Sequence, residues 1–129
     1  MPVDDNGFLM LKSPCSKMRA WLHASCTEWK NVFDFEVFGT LGKLQVVGLG
    51  RSYGEETLHF YKVKPEMGVP ELQTFPFPGE DSSWALEMKA FVSEIEGKPS
   101  DIATPYDALR AMELVYEAYR QSKMSWLKP

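Results

Sequence analysis

Hydrophobic and polar residues alternate with a period of two over the first half of the chain. In KMRAWLHASCTE, for example, every second residue is small or apolar, and NVFDFEVF, GKLQVV and ETLHFYKV continue the pattern. Because successive side chains of a strand point to opposite faces, the alternation predicts strands over about residues 7–64, each with one buried face. The short connections between these segments and the absence of helical crossovers favour antiparallel neighbours.

The alternation stops after Lys64, where the sequence reads PEMGVPELQTFPFPGED. Proline cannot donate a hydrogen bond to a sheet ladder, so four prolines in this stretch predict an irregular or edge segment over residues 65–80. The segment has room for a short strand from Leu72 to Phe75.

Two helices are predicted for the last part of the chain, over about residues 82–96 and 105–123. Asp81 can cap the first helix, and Thr104 followed by Pro105 can start the second. Both helices carry an apolar stripe at helical spacing, which we interpret as a packing surface. The stripe residues are Trp84, Met88, Phe91, Val92 and Ile95 in the first helix, and Leu109, Met112, Val115, Tyr116 and Tyr119 in the second.

Strands followed by helices predict an α+β fold in a single domain, residues 1–129. We expect an open, mainly antiparallel (mixed) sheet of about five to six strands, with the two C-terminal helices covering one face and no Rossmann domain. The other sheet face is either solvated or a subunit interface, and we favour the interface because Trp, Tyr and Arg are enriched at such surfaces. The residues expected on it are Arg19, Trp21, His23, Asp34, Glu36, His59 and Tyr61.

Charge and cysteine content exclude several classes of function. The net charge is −4 and no basic run is present, so we expect no nucleic-acid partner. No apolar stretch approaches the roughly 20 residues that cross a bilayer, and the start MPVDDNG lacks a secretory pattern, so we expect no membrane association and a cytoplasmic location. Cys15, Cys26, His23 and His59 have no zinc-ligand spacing, so we expect no metal and buried thiols.

The glycine-rich stretch GLGRSYG, residues 48–54, resembles a phosphate-binding loop only superficially. A dinucleotide fingerprint needs G-x-G-x-x-G at the start of a helix, whose free amides hold the pyrophosphate. Here the third glycine comes one position late, and the following ETLHFYKV alternates like a strand. We therefore interpret the loop as a connection between two strands. Two other catalytic motifs, G-x-S-x-G and H-E-x-x-H, are also missing from the sequence.

Two long stretches carry a family resemblance. They are WLHASCTEWKNVFDFEVFGTLGKLQVVGLGRSYGEETLHFYK, residues 21–62, and WALEMKAFVSEIEGKPSDIATPYDALRAMELVYEAYRQS, residues 84–122. In their order they resemble the second domain of the glucose–fructose oxidoreductase, inositol dehydrogenase and MocA-like (Gfo/Idh/MocA) family of NAD(P)-dependent oxidoreductases.

The resemblance implies a role beside a separate cofactor domain. In that family a Rossmann domain binds NAD or NADP, and the second domain supplies part of a sugar or polyol pocket and the oligomer interface. The family's Glu-Lys-Pro lysine and its Asp-x-x-x-His helix have no counterpart here, since Lys64-Pro65-Glu66 and Lys98-Pro99-Ser100 lie in other contexts. We therefore expect no catalytic residue and no cofactor in this chain, NAD or NADP in the complete enzyme, and no activity from the chain alone.

The expected function is thus the substrate-side and oligomerisation domain of a sugar or polyol oxidoreductase, a homo-oligomer that pairs with a Rossmann domain. The candidate substrate contacts lie at strand ends and in the glycine loop, and their donors and aromatic faces suit hydroxyl-rich ligands. They are Trp29, Lys30, Asn31, Arg51 and Tyr53. Two alternatives remain open: a stand-alone association (dimerisation) module that uses the open sheet face, and a small-ligand carrier.

Overall fold

The computed structural model of the protein describes residues 5–122. The strands are β1 (Asn6–Lys12), β2 (Arg19–Ser25), β3 (Asp34–Phe38), β4 (Gly42–Val47), β5 (Glu56–Lys62) and β6 (Glu71–Phe77), and the helices are α1 (Ser83–Ile95) and α2 (Pro105–Ser122). The predicted α+β class is confirmed. The predicted end of the second helix at residue 123 lies outside the described residues.

The six strands form two sheets rather than the single open sheet predicted from the sequence. β1 and β2 make a two-stranded sheet, and β3-β4-β5-β6 make a four-stranded sheet in sequence order. Every described pairing is antiparallel, so the mixed component of the prediction is also corrected. The reason is that alternation shows which side of a strand is apolar but does not identify the neighbouring strand.

The chain divides into two compact units. One combines Met1–Thr27 with Ala90–Pro129 and contains the β1–β2 hairpin and α2, whereas the other spans Glu28–Lys89 and contains the four-stranded sheet. Helix α1 crosses the division in the chain.

The pairing register gives the four-stranded sheet one apolar and one polar face. Residues opposite each other in an antiparallel pair lie on the same face. Val37 pairs with Leu44 and Leu44 with Phe60, whereas Glu36 pairs with Gln45 and Gln45 with His59. The apolar face consists mainly of Phe35, Val37, Leu44, Val46, Leu58, Phe60, Phe75 and Phe77.

No hydrophobic side chain of residues 5–122 is fully buried. On the apolar sheet face, Phe35 is 54% and Phe77 57% exposed, and on the α1 stripe Trp84 is 80% exposed. The residues of the α1 stripe were expected to form a packing surface, but all of them are exposed, so the predicted burial of this stripe is wrong. Helical periodicity identifies a surface that favours burial, but not the surface that buries it.

The predicted start of the second helix is confirmed. Helix α2 begins at Pro105, and the Asp107 amide donates to Thr104 Oγ1 at 3.3 Å. In return the Thr104 amide donates to Asp107 Oδ2 at 2.8 Å, which makes a reciprocal capping box. The hydrogen bonds from Thr104 hold the pKa of Asp107 below its ordinary value.

Helix α1 has a capped start and a glycine end, as predicted. The Ser83 amide donates to Asp81 Oδ1 at 2.9 Å, and hydrogen bonds from Ser83 lower the pKa of Asp81. At the other end Gly97 has φ +69°, and the Lys98 amide donates to the Ser93 carbonyl at 2.9 Å. This combination is a Schellman motif, in which a left-handed glycine closes the last helical turn.

The β1–β2 hairpin follows the predicted alternation but not the predicted thiol burial. Leu9 and Leu11 are half-buried, and they pair with Leu22 and Ala20 on one face of the hairpin. Cys15 and Cys26, expected to be buried, are both free and exposed. Both cysteines lie outside strands β1 and β2, so strand alternation does not determine their burial.

Candidate functional site

The glycine loop of residues 48–54 leads directly into strand β5, as the alternation predicted. Two of its amides donate to carbonyls within the loop: Ser52 donates to the Gly50 carbonyl at 2.6 Å, and Gly54 donates to the Arg51 carbonyl at 3.1 Å. The Gly50 amide donates to Glu56 Oε1 at 2.8 Å. Because the Glu56 carboxylate already accepts from the Gly50 amide, a phosphate bound at this amide would meet a negative charge.

Close backbone packing explains why glycine begins this loop. Gly48 has φ +79°, a left-handed conformation that side chains disfavour. A Cβ atom at this position would overlap the Glu55 carbonyl oxygen and lie 2.7 Å from the Glu55 carbonyl carbon. The Gly48 amide donates to the Phe33 carbonyl at 3.1 Å, which ties the loop to the chain entering β3. The loop is thus a compact strand connection.

A cleft of about 300 Å³ lies where the glycine loop meets the start of β3. Three of the five predicted substrate contacts, Lys30, Asn31 and Tyr53, line it together. The cleft is completed by Val32, Phe33, Asp34, Val47, Gly48, Gly54 and Glu55. Residues distant in sequence are therefore brought together by the pairing of β3 with β4.

The cleft combines donors, acceptors and an aromatic ring. Lys30 supplies an ammonium donor, Asn31 an amide that donates and accepts, and Tyr53 a hydroxyl on a ring that is 42% exposed. Asp34 and Glu55 add two exposed carboxylates that can only accept when ionised. Such a mixture suits ligands whose hydroxyl groups both donate and accept hydrogen bonds.

A chain of hydrogen bonds orients Asp34 from the polar face of the sheet. Gln45 Nε2 donates to Asp34 Oδ1 at 3.1 Å and to Oδ2 at 2.9 Å. The Tyr61 hydroxyl donates to Gln45 Oε1 at 3.3 Å, so both ends of the Gln45 amide have partners. Asp34 was predicted to lie on the sheet face, whereas Gln45 was not among the predicted site residues. The signal for Gln45 was its position opposite Glu36, which only the register reveals.

Arg51 lies in a different cleft from the other candidates. Its Nη2 and Nε donate to the Gly79 carbonyl at 2.7 and 3.2 Å, which links the glycine loop to the segment before α1. The surrounding cleft has a volume of about 580 Å³ and is rich in carboxylates. It is lined by Arg51, Glu55, Glu56, Pro76, Phe77, Pro78, Gly79, Glu80 and Asp81. In this position the guanidinium of Arg51 has a structural role.

Trp29, the fifth predicted substrate contact, lies outside both clefts, and its side chain is fully exposed at 104%. The aromatic side chain in CTEWKN therefore has no packing partner in the described structure.

The seven predicted interface residues do not share one sheet. Arg19, Trp21 and His23 lie on β2 of the two-stranded sheet. There the His23 ring stacks on Phe8 with centroids 4.3 Å apart and planes at 5°, and Trp21 lies 5.8 Å from the same ring. His23 Nε2 is 2.9 Å from Asn6 Oδ1, a hydrogen bond that fixes the stacked ring.

The other four predicted interface residues, Asp34, Glu36, His59 and Tyr61, lie on the polar face of the four-stranded sheet. Glu36 forms an ion pair with Lys43, whose ammonium lies 5.2 Å from the centroid of the Tyr61 ring. The bond to Glu36 raises the pKa of Lys43. His59 Nδ1 shares a hydrogen bond of 3.1 Å with Thr74 Oγ1. This face therefore carries an ordered polar network.

Within residues 5–122, no group of three or more His, Cys, Asp or Glu side chains is placed to hold a metal ion, and no helix could span a membrane. Comparison of the chain with protein-family models, curated proteins and solved structures finds no match. The resemblance to the Gfo/Idh/MocA family therefore stays a prediction.

Proposed function

We propose that this chain is the substrate-side domain of an NAD(P)-dependent oxidoreductase, and that its cleft at Lys30, Asn31 and Tyr53 binds a sugar or polyol. The observation that carries the proposal is that these three residues, selected for their ability to bind hydroxyl groups, line one cleft. A cleft of about 300 Å³ is at the lower end of the range for small-molecule sites, so it suits a ligand of sugar size.

The nicotinamide cofactor is then supplied by another domain. The glycine-loop amides of this chain already donate to Gly50, Arg51 and Glu56, and a strand follows the loop. These amides are therefore occupied, and the loop has no helix dipole to offer to a pyrophosphate. Isothermal titration with NADH and NADPH should detect no binding to the chain, whereas stoichiometric binding would refute this part of the proposal.

The proposed binding of a sugar or polyol in the cleft is tested by nuclear magnetic resonance titration with D-glucitol. Shifts should concentrate on the amides of residues 30–34 and 47–55, and Tyr53→Ala should weaken binding severalfold because a ring face and a hydroxyl are lost. Tyr106→Ala is the matched control, since Tyr106 is a 66% exposed tyrosine on α2. Equal effects of the two substitutions, or shifts outside the cleft only, would contradict the proposed site.

A second candidate function, a homo-oligomeric association module, is favoured by the exposed apolar and aromatic surface. Trp21 is 61% and Phe8 58% exposed beside Arg19, a composition typical of interface centres. If the protein associates through this hairpin face, light scattering should show that Trp21→Glu dissociates the oligomer. Val69→Glu, at an 84% exposed position outside the strands, should leave it intact. An oligomer that survives Trp21→Glu would exclude the hairpin face.

A further inference from the structure

We infer that Asp34, which is oriented by Gln45, accepts hydrogen bonds from the hydroxyl groups of a ligand in the cleft. As a result, the cleft binds neutral or cationic polyols in preference to sugar acids and sugar phosphates. This inference rests on the proposed function, because it assumes that the cleft binds a polyol. It adds the residue that decides which polyols bind.

The residues that line the cleft carry more negative than positive charge. Lys30 is the single cation among its lining residues, whereas Asp34 and Glu55 both carry a negative charge at neutral pH. The adjoining cleft shares Glu55 and adds Glu56, Glu80 and Asp81, and its Arg51 is bound to the Gly79 carbonyl. A ligand that approaches this end of the sheet therefore meets an excess of negative charge. An anionic ligand loses affinity in such a field, and an ammonium group gains it.

Hydrogen bonds from Gln45 fix the orientation of the Asp34 carboxylate. A carboxylate at the start of an edge strand would ordinarily rotate freely, but both oxygens of Asp34 accept from Gln45 Nε2 at 2.9 and 3.1 Å. Gln45 is half-buried and held in turn by the Tyr61 hydroxyl. Each oxygen retains a second lone pair, and Asp34 is exposed, so these lone pairs can accept from a ligand hydroxyl. An acceptor that is already oriented loses less conformational entropy when a ligand binds.

The cleft offers hydrogen-bond donors and an acceptor side by side. A hydroxyl group satisfies both of its hydrogen-bonding functions only where a donor and an acceptor are available together. Lys30 and Asn31 provide donors, and Asp34 follows them in the same cleft wall. The ionised carboxylate or phosphate group of a sugar acid or sugar phosphate could use the donors, but that group has no proton to offer to Asp34. Asp34 therefore discriminates by hydrogen bonding as well as by charge.

The test uses three ligands with the same carbon skeleton: D-glucitol, the anion D-gluconate and the cation 1-amino-1-deoxy-D-glucitol. Affinities for the full chain are measured by nuclear magnetic resonance titration at low salt and at 0.5 M NaCl. We expect the amine to bind at least as tightly as glucitol, and gluconate to bind about tenfold more weakly or not at all. Salt should narrow the difference between amine and anion, because the charges are exposed and therefore screened.

The variants separate the role of Asp34 from a general effect of charge. Asp34→Asn should weaken glucitol binding about tenfold and reduce the preference for the amine over gluconate by a similar factor. Glu36→Gln is the charge-matched control: it removes the same charge from the same strand and face, but from a residue outside the cleft. Gln45→Leu should weaken glucitol severalfold yet keep the preference for the amine, because the charge of Asp34 remains.

The outcomes distinguish this inference from the proposed function. Glucitol binding at the cleft with no effect of Asp34→Asn, or with equal effects of Asp34→Asn and Glu36→Gln, would overturn the role of Asp34 and leave the polyol site intact. Equal affinities for gluconate and the amine would overturn the proposed selectivity in the same way. Failure of all three ligands to bind would overturn the proposed function and this inference together. The hydrogen exchange of β4 and β5 amides confirms that each variant is folded.

Discussion

Substitution of Gly48 by alanine tests whether the glycine loop is a packed strand connection. Two costs follow from the structure. Alanine at φ +79° is disfavoured by about 1–2 kcal/mol. Its Cβ would overlap the Glu55 carbonyl oxygen, and the backbone shift needed to relieve such overpacking costs about 1–3 kcal/mol more. Gly48→Ala should therefore destabilise the protein by about 2–5 kcal/mol, a large part of the stability of an ordinary domain.

Two other glycines of the same unit separate these costs. Gly54 has φ +101°, but its nearest neighbour would lie 3.9 Å from an added Cβ, so Gly54→Ala should show only the conformational cost, about 1–2 kcal/mol. At Gly79 an added Cβ would meet nothing within 4 Å and φ is not left-handed, so Gly79→Ala should be neutral or stabilising by about 0.4–1 kcal/mol.

The assay is urea unfolding followed by circular dichroism, with hydrogen exchange of the β4 and β5 amides as a local measure of the four-stranded unit. The predicted order of destabilisation is Gly48, then Gly54, then Gly79. If Gly48→Ala lowers the free energy of unfolding no more than Gly54→Ala does, the close approach of Gly48 to Glu55 is not what requires glycine at this position.

Three further predictions concern helix α2. Thr104→Ala should lower the free energy of unfolding by about 1 kcal/mol, because the capping hydrogen bond is lost. Thr104→Ser should retain most of the stability, and thermal unfolding measures both variants. The depressed pKa of Asp107 means that its contribution to stability is present above the unfolded pKa and is lost as pH falls through the folded pKa; Asp107→Asn should flatten this part of an acid unfolding profile. Hydrogen bonds from Arg120 and Gln121 lower the pKa of Glu117 to about 2, so Arg120→Gln should raise that pKa in a carboxyl titration by nuclear magnetic resonance, and an unchanged value would contradict the pairing.

The sequence predicted local structure better than assembly. The start of α2 could be predicted because Thr104, Pro105 and Asp107 lie within four residues, and the side chains of Thr104 and Asp107 accept from backbone amides of the same turn. The division into two sheets could not, because strand partners are chosen by contacts between segments that alternation does not describe. The edge strand β6 extended beyond the predicted Leu72–Phe75 for the same reason.

The candidate site shows the same limit. Lys30, Asn31 and Tyr53 could be selected from their chemistry and from their positions beside turns, and they line one cleft. Arg51 has equally suitable chemistry, but its guanidinium is bound to a carbonyl 28 residues away, which the local sequence does not reveal. Asp34 was assigned to the sheet face because strand geometry places it there, and it also lines the cleft because it is the first residue of β3.

The two edge strands of the four-stranded sheet, β3 and β6, have features that oppose fibril formation. β3 is only five residues long and carries Asp34 and Glu36, and β6 contains Pro76 and begins at Glu71. Short length, negative charge and proline each oppose the addition of another strand, which is the growth step of cross-β polymers. The edges of this sheet therefore resist the templated elongation that turns exposed sheets into amyloid.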